Sequence, residues 1–176
     1  MKTLIRYIRA AIFEVTYIGW TFLYASAFLW TLLLPASICK WTIQHVLLNG
    51  ILFLTRYLLG IRYEIRGAEN VPDQGPFIVA SKHQSSYETY VLNKYFNDLS
   101  FILKKELLQI PLWGWYAWKV GFIGVDRQNP RKAHQAIADA MTRIKKENRT
   151  LLIFPQGTRV SPEDTPQDKP YKTGIH

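Results

Sequence analysis

FIVASKHQSSYETYVLNKYF, Phe77–Phe96, reads as a strand, a turn and a helix in immediate succession. Phe77–Ala80 is a short uninterrupted apolar run, the pattern of a buried strand. Ser85 and Ser86 suit the N-cap position, so a helix is predicted over Ser86–Phe96. His83 falls between the two elements. It thus stands at the carboxyl end of a strand, a common place for chemistry in α/β folds.

The same alternation runs outward in both directions. Ser100–Leu103 and Phe122–Val125 are strand-like, and Leu151–Phe154 is a further buried strand ended by Pro155. Asn129-Pro130 opens a helix, with Asn as N-cap and Pro at the first helical position. Its apolar face is Ala133, Ile137, Ala140, Met141 and Ile144, spaced by three and four. Upstream, Arg62–Arg66 (RYEIR) alternates like a strand, and Asn70–Gly75 turns on Pro72 and Gly75. Ser161–Pro170 (SPEDTPQDKP) is a polar, proline-rich loop. Strands alternating with helices predict an α/β domain over residues 61–176.

Residues 1–60 differ in kind. Val15–Cys39 is a run of 25 residues without a charge, longer than the roughly 20 needed to cross a bilayer core. Pro35 is expected to break this helix near its end, so the segment either spans the bilayer or dips in and returns. Trp41–Thr55 is a second uncharged run of 15 residues between Lys40 and Arg56, a length suited to an interfacial helix over 41–58. Met1–Ala10, read as a first strand, adds Lys2, Arg6 and Arg9 at spacings that meet anionic lipid headgroups. The expectation is a membrane anchor over 1–60. A cleaved signal peptide is excluded by the length of the apolar run and the lack of a small-residue cleavage site.

The whole chain has 176 residues, 22 Lys and Arg against 13 Asp and Glu, and a net charge of +9. Residues 61–176 hold 17 basic and 12 acidic side chains, and the anchor supplies the remaining +4. The charge is spread rather than blocked, and no nucleic-acid-binding motif accompanies it, so nucleic acid is excluded as a partner. One cysteine, Cys39, excludes a disulfide scaffold and a cysteine-rich metal site. No metal-ligand constellation or nucleotide loop appears, and no cofactor is implied.

His83 and Glu88 are five residues apart. On a regular helix they would diverge by about 140°. They can pair only if His83 lies in the turn and Glu88 in the first helical turn. Glu88 would then accept from His83 Nδ1–H and leave Nε2 free as a general base. Ser85-x-x-Glu88 is equally a capping box, in which the glutamate serves backbone N–H groups. Residue spacing alone leaves both readings open.

KHQSSYE resembles the H-x4-D motif of the glycerophospholipid acyltransferases, the 1-acylglycerol-3-phosphate acyltransferase family, with His83 and Glu88 in the His and acidic positions. Three further stretches resemble family motifs in the right order. They are Lys104-Lys105-Glu106-Leu107 (K-x-E-L), Gly121–Arg127 (an apolar strand ending in arginine) and Phe154–Arg159, FPQGTR, against F-P-E-G-T-R. The resemblance covers roughly Arg62 to Lys172 and implies a glycerol-3-phosphate acyltransferase-like α/β fold behind an N-terminal helical anchor.

It further implies acyl transfer from acyl-CoA or acyl-carrier protein to lysophosphatidic acid at the cytoplasmic face of a bacterial-type inner membrane, forming phosphatidic acid. His83 and Glu88 would be catalytic. Arg127, Arg159 and Lys104 (or Lys105) would hold the phosphate with Gly157 and Thr158. Another lysophospholipid acceptor, or a non-catalytic lipid-binding fragment, is the alternative. Three departures stand out: Glu88 for aspartate, Gln156 for glutamate, and an end at His176 where the family continues into a further helix and strand. The domain is therefore expected to be incomplete at its C-terminus. Trp113, Trp115 and Trp118 with Tyr116 are expected in core and membrane-interface packing.

Overall fold

The computed structural model describes residues 2–73, 75–96, 98–126 and 128–171. The chain forms two compact units, residues 1–68 and 69–176.

The first unit is a helical hairpin. α1 runs Lys2–Ala27, with no strand over the first ten residues. It ends well before Pro35, and the Trp30 indole N–H donates to the terminal Ala27 carbonyl (3.0 Å). A 3-10 turn follows at Leu29–Leu33, and Pro35 starts the next helix rather than ending the first. Proline has no N–H to lose at a helix start, so this placement costs nothing. The return leg is helical throughout: α2 Ala36–Thr42, a π turn Ile43–Leu47, α3 Leu48–Leu54 and a second π turn Thr55–Leu59.

The two legs close on one another along their length. Arg9 Nε donates to Leu58 O (2.6 Å), Trp20 Nε1 to Leu47 O (3.0 Å), and Tyr24 Oη bonds Thr42 Oγ1 (2.9 Å). Gly50 lies directly under the Trp20 indole, where a Cβ would overlap the ring. Cys39 is fully buried. Residues 15–39 are thus two helices and a turn, not one spanning helix. Among the described residues, no helix is long and apolar enough to cross a membrane. The legs nonetheless leave Ile5, Ile8, Ile12, Phe22, Trp30 and Leu33 exposed.

The second unit is a four-stranded, wholly parallel sheet in the order β1-β4-β2-β3: β1 Ile78–Ala80, β2 Leu99–Lys104, β3 Ile123–Val125 and β4 Thr150–Ile153. Ala80 pairs with Ile153, Phe101 with Leu152, and Lys104 with Val125. Because side chains alternate, Leu151 and Leu152 face opposite ways, yet both are fully buried. Leu151 joins Ile123, Val125, Ala140 and Ile144 beneath α6 (Pro130–Lys146); Leu152 joins Leu99 and Phe101, with Leu92 and Phe96 from α4 (Tyr87–Tyr95) and its end. Helices therefore cover both faces, as parallel sheets require.

β1 is an edge strand, and Ile78 is 49% exposed, so the strands buried on both faces are the central β2 and β4, not FIVA. Arg62–Arg66 forms no strand: no sheet edge takes up its alternation, and Tyr63 and Ile65 stay exposed.

α6 starts as its sequence requires, with the Asn129 side chain accepting from Lys132 N–H (3.1 Å). Asn148 ends it in the left-handed conformation (φ 53°), with Arg149 N–H on Ile144 O and Asn148 N–H on Lys145 O. The aromatic stretch forms α5, Trp113–Lys119. Of its aromatic side chains, Tyr116 alone enters the core, while Trp113, Trp115 and Trp118 are exposed. Gly114 lets α5 sit on the Leu108 carbonyl, which a Cβ would overlap.

Candidate active site

All four strands point the same way, so the segments that follow them gather at one carboxyl edge. His83 follows β1, Gln156–Arg159 follow β4, and Lys104 ends β2. Arg127, which follows β3, lies outside the described residues.

His83 sits in the turn before α4 and Glu88 in the first turn of α4, the arrangement that five-residue spacing demands. The His83 Nδ1 to Glu88 Oε1 distance is 2.6 Å, and both side chains are about four-fifths buried. The same carboxylate accepts from Gln84 N–H (2.9 Å), Ser85 N–H (3.0 Å to each oxygen) and Ser85 Oγ–H (2.8 Å). The two readings of Glu88 are thus satisfied together: one oxygen meets the imidazole, and both serve the helix start. Burial works to raise the Glu88 pKa. The hydrogen bonds from His83 and Ser85 outweigh it and hold the carboxyl below its ordinary value. A carboxylate in this state orients the imidazole through Nδ1.

The imidazole plane is fixed from the other strand. Phe154 stacks on it with ring centroids 4.1 Å apart and planes 22° from parallel. Val160 N–H donates to His83 O (2.7 Å), so the segment after β4 also holds the His83 backbone. Gly157 takes φ 65°, a turn conformation that suits glycine, and Thr158 and Arg159 beyond it are exposed. Arg159 Nη2 donates to Ser86 Oγ (3.0 Å), which brings a guanidinium to the turn that carries His83.

Residues 62–176 match the acyltransferase family. The chain belongs to that family. It is 39% identical over 152 residues to the 1-acyl-sn-glycerol-3-phosphate acyltransferase of Pseudomonas aeruginosa, covering 82% of this chain and 59% of the relative. It is 31% identical over 118 residues to the enzyme of that name from Escherichia coli (66% and 47%). Against the mouse 1-acyl-sn-glycerol-3-phosphate acyltransferase alpha it is 32% identical over 114 residues (64% and 40%). The chain therefore spans about half the length of these relatives. No solved structure matches it.

Within this family member the two candidate lysines part company. Lys105 Nζ donates to Asp126 Oδ2 (2.6 Å) and ties the 3-10 turn Lys105–Gln109 to the end of β3. That bond raises the lysine pKa and lowers the aspartate's. Lys104 stands at the strand end, with only a 3.7 Å approach to Glu106. Gln156 is buried, and among the described residues its Oε1 has no hydrogen-bond partner. An open groove of about 770 Å³ beside Pro72, Phe77, Phe96 and Asn148 lies at the opposite, amino edge of the sheet, away from these side chains.

Sequence reading did not find Phe154 as a ring partner or Ser86 as the Arg159 partner. Both contacts join segments about 70 residues apart and leave no local signature. The Ser85 contact was signalled by the Ser85-x-x-Glu88 spacing.

Proposed function

We propose that this acyltransferase moves a fatty acyl group from an acyl-CoA or acyl-carrier-protein thioester to the free hydroxyl of 1-acyl-sn-glycerol-3-phosphate, giving phosphatidic acid. The observation that carries this reading is the 2.6 Å His83–Glu88 contact at the carboxyl edge of the sheet, within reach of the turn that Arg159 contacts. The names of the relatives supply the acceptor.

Glu88 holds Nδ1–H, and Nε2 takes the acceptor hydroxyl proton as its oxygen attacks the thioester carbonyl. The tetrahedral intermediate collapses by breaking the C–S bond, and the imidazolium returns its proton to the departing thiolate. No acyl-enzyme forms. A positioned base of this kind contributes on the order of 10²–10⁴-fold. Arg159 and Arg127 offer forked donors to the acceptor phosphate, and Lys104 adds a point charge. Gly157, whose own N–H is bonded to Phe154 O (2.8 Å), lets the backbone approach the anion closely, with Thr158 beside it.

Residues 1–60 serve in this reading as a membrane anchor that lies in the bilayer surface and returns. Its support is the exposed apolar set of the hairpin together with Arg6, Arg9 and Lys40, which suit anionic headgroups. The site would face the cytoplasmic side of a bacterial-type inner membrane.

The test is transfer of labelled acyl groups to lysophosphatidic acid by membranes carrying the protein, with each donor in turn. His83→Ala is expected to lower the rate by at least about 10²-fold. Unchanged transfer would refute the mechanism.

A further inference from the structure

Three successive ties join the segment after β4 to the turn after β1. Arg159 Nη2 bonds Ser86 Oγ (3.0 Å), Val160 N–H bonds His83 O (2.7 Å), and Lys82 Nζ bonds both Pro162 O (3.1 Å) and Asp164 O (2.9 Å). The partners step forward on one strand of chain as they step back on the other. Val160 at the centre is buried, whereas Lys82 and Arg159 flank it on the exposed side.

The two carbonyls that Lys82 grips belong to a self-closed turn. Ser161 N–H donates to Asp164 Oδ2 (2.7 Å), Asp164 N–H to Ser161 O (3.2 Å), and the Ser161 hydroxyl to the Glu163 carboxylate. The Glu163 carboxyl is held below its ordinary value, first by Ser161 and in smaller part by the charge of Lys82. A turn built this way moves as one piece. Lys82, reaching across 80 residues of sequence, is what fastens that piece to the His83 turn. An ammonium on a flexible four-carbon stem suits two divergent carbonyls, and both bonds are charge-assisted.

We propose that Lys82 is a positioning residue of the site: it pins the 160–164 turn and thereby sets where the Arg159 guanidinium stands beside His83. The inference rests on the acyl-transfer reading for what Arg159 does, but not for the pin itself. Lys82 acts through the Pro162 and Asp164 carbonyls, on the 160–164 turn rather than on the His83 ring. Its loss should therefore weaken acceptor binding rather than the chemical step.

The experiment compares the full chain with Lys82→Met and Lys82→Arg. Amide hydrogen exchange, read without substrate, is expected to quicken over 160–164 in Lys82→Met while α6 and β4 hold their protection. Lys82→Arg, which still offers two donors, should stay close to the parent. With 1-acylglycerol-3-phosphate and acyl-CoA, Lys82→Met should raise KM for the acceptor about tenfold, with kcat within about twofold, and Lys82→Arg should restore it.

Unchanged exchange over 160–164, faster exchange spread equally through α6 and β4, or a fall in kcat at constant KM would each overturn the proposal. If the parent transfers nothing to this acceptor, the acyl-transfer reading fails, and the exchange measurement still decides whether Lys82 is the pin.

Discussion

His83 and Phe154 stack face to face, with centroids 4.1 Å apart, although 70 positions separate them in the chain. Glu88 fixes the imidazole within its plane, and Phe154 fixes the plane itself. The imidazole is thus held by two strands' worth of structure rather than by one turn. Phe154 and Arg159 share one segment, so the ring that stacks on His83 and the guanidinium that reaches Ser86 are placed together.

Truncating the stacked ring should loosen the imidazole without touching Glu88. Phe154→Ala is expected to lower kcat by up to about 10²-fold, and Phe154→Leu, which keeps apolar contact with the ring, by clearly less. Steady-state rates of the two variants against the parent check this. Equal losses would mean that apolar contact alone does not hold the imidazole.

Glu88 links the site to acid stability. Its carboxyl lies below its ordinary value in the folded chain, so the unfolded chain takes up the proton first. The stability it adds is fully present above the unfolded pKa and is lost as pH falls through the lower folded value. Glu88→Gln should remove that acid-limb contribution, which chemical denaturation from neutral to acid pH would reveal as a shallower decline. The same variant should also lose most activity at neutral pH, because a neutral amide stabilises the imidazolium less.

At the opposite edge of the sheet, Arg149 is a buried guanidinium, 4% exposed. It bonds Asp98 Oδ1 (2.8 Å), Val120 O (2.9 Å) and Glu147 Oε2 (3.3 Å). These three partners precede β2, precede β3 and follow α6, so one side chain gathers the amino ends of the sheet. Arg149→Met should cost about 2–4 kcal/mol, since it strips donors from buried acceptors. Arg149→Lys should recover only part, because one ammonium cannot span all three partners. Urea denaturation of the three proteins measures the difference.

Arg149 also marks where sequence reading stops. In the chain it stands inside Asn148-Arg149-Thr150, a glycosylation-type triplet, and nothing local distinguishes it from a solvated arginine. Its burial comes from Val120 and Asp98, 29 and 51 residues away. The β-strands after residue 76 and α6 were legible because periodicity and capping act over a few residues. Asn129 and Pro130 start α6 where their chemistry requires. Arg62–Arg66 was not legible, because strand-like alternation forms a strand only where a sheet edge accepts it.

Sequence by itself determined that the chain from Phe77 to Phe154 alternates strand and helix, that His83 stands at a strand's end, and that Glu88 could pair with it only from the next helix's first turn. Those are consequences of side-chain period and reach, which a single segment contains. Tertiary structure alone decided the strand order, which makes β2 and β4 the twice-buried strands and leaves FIVA at an edge. It decided that residues 15–39 fold as a hairpin corner rather than as one helix, because Gly50 admits the Trp20 indole and lets the legs close. It also decided that Phe154, Ser86 and Lys82 belong with the site. Such contacts depend on which parallel strands lie side by side, and no local pattern encodes that.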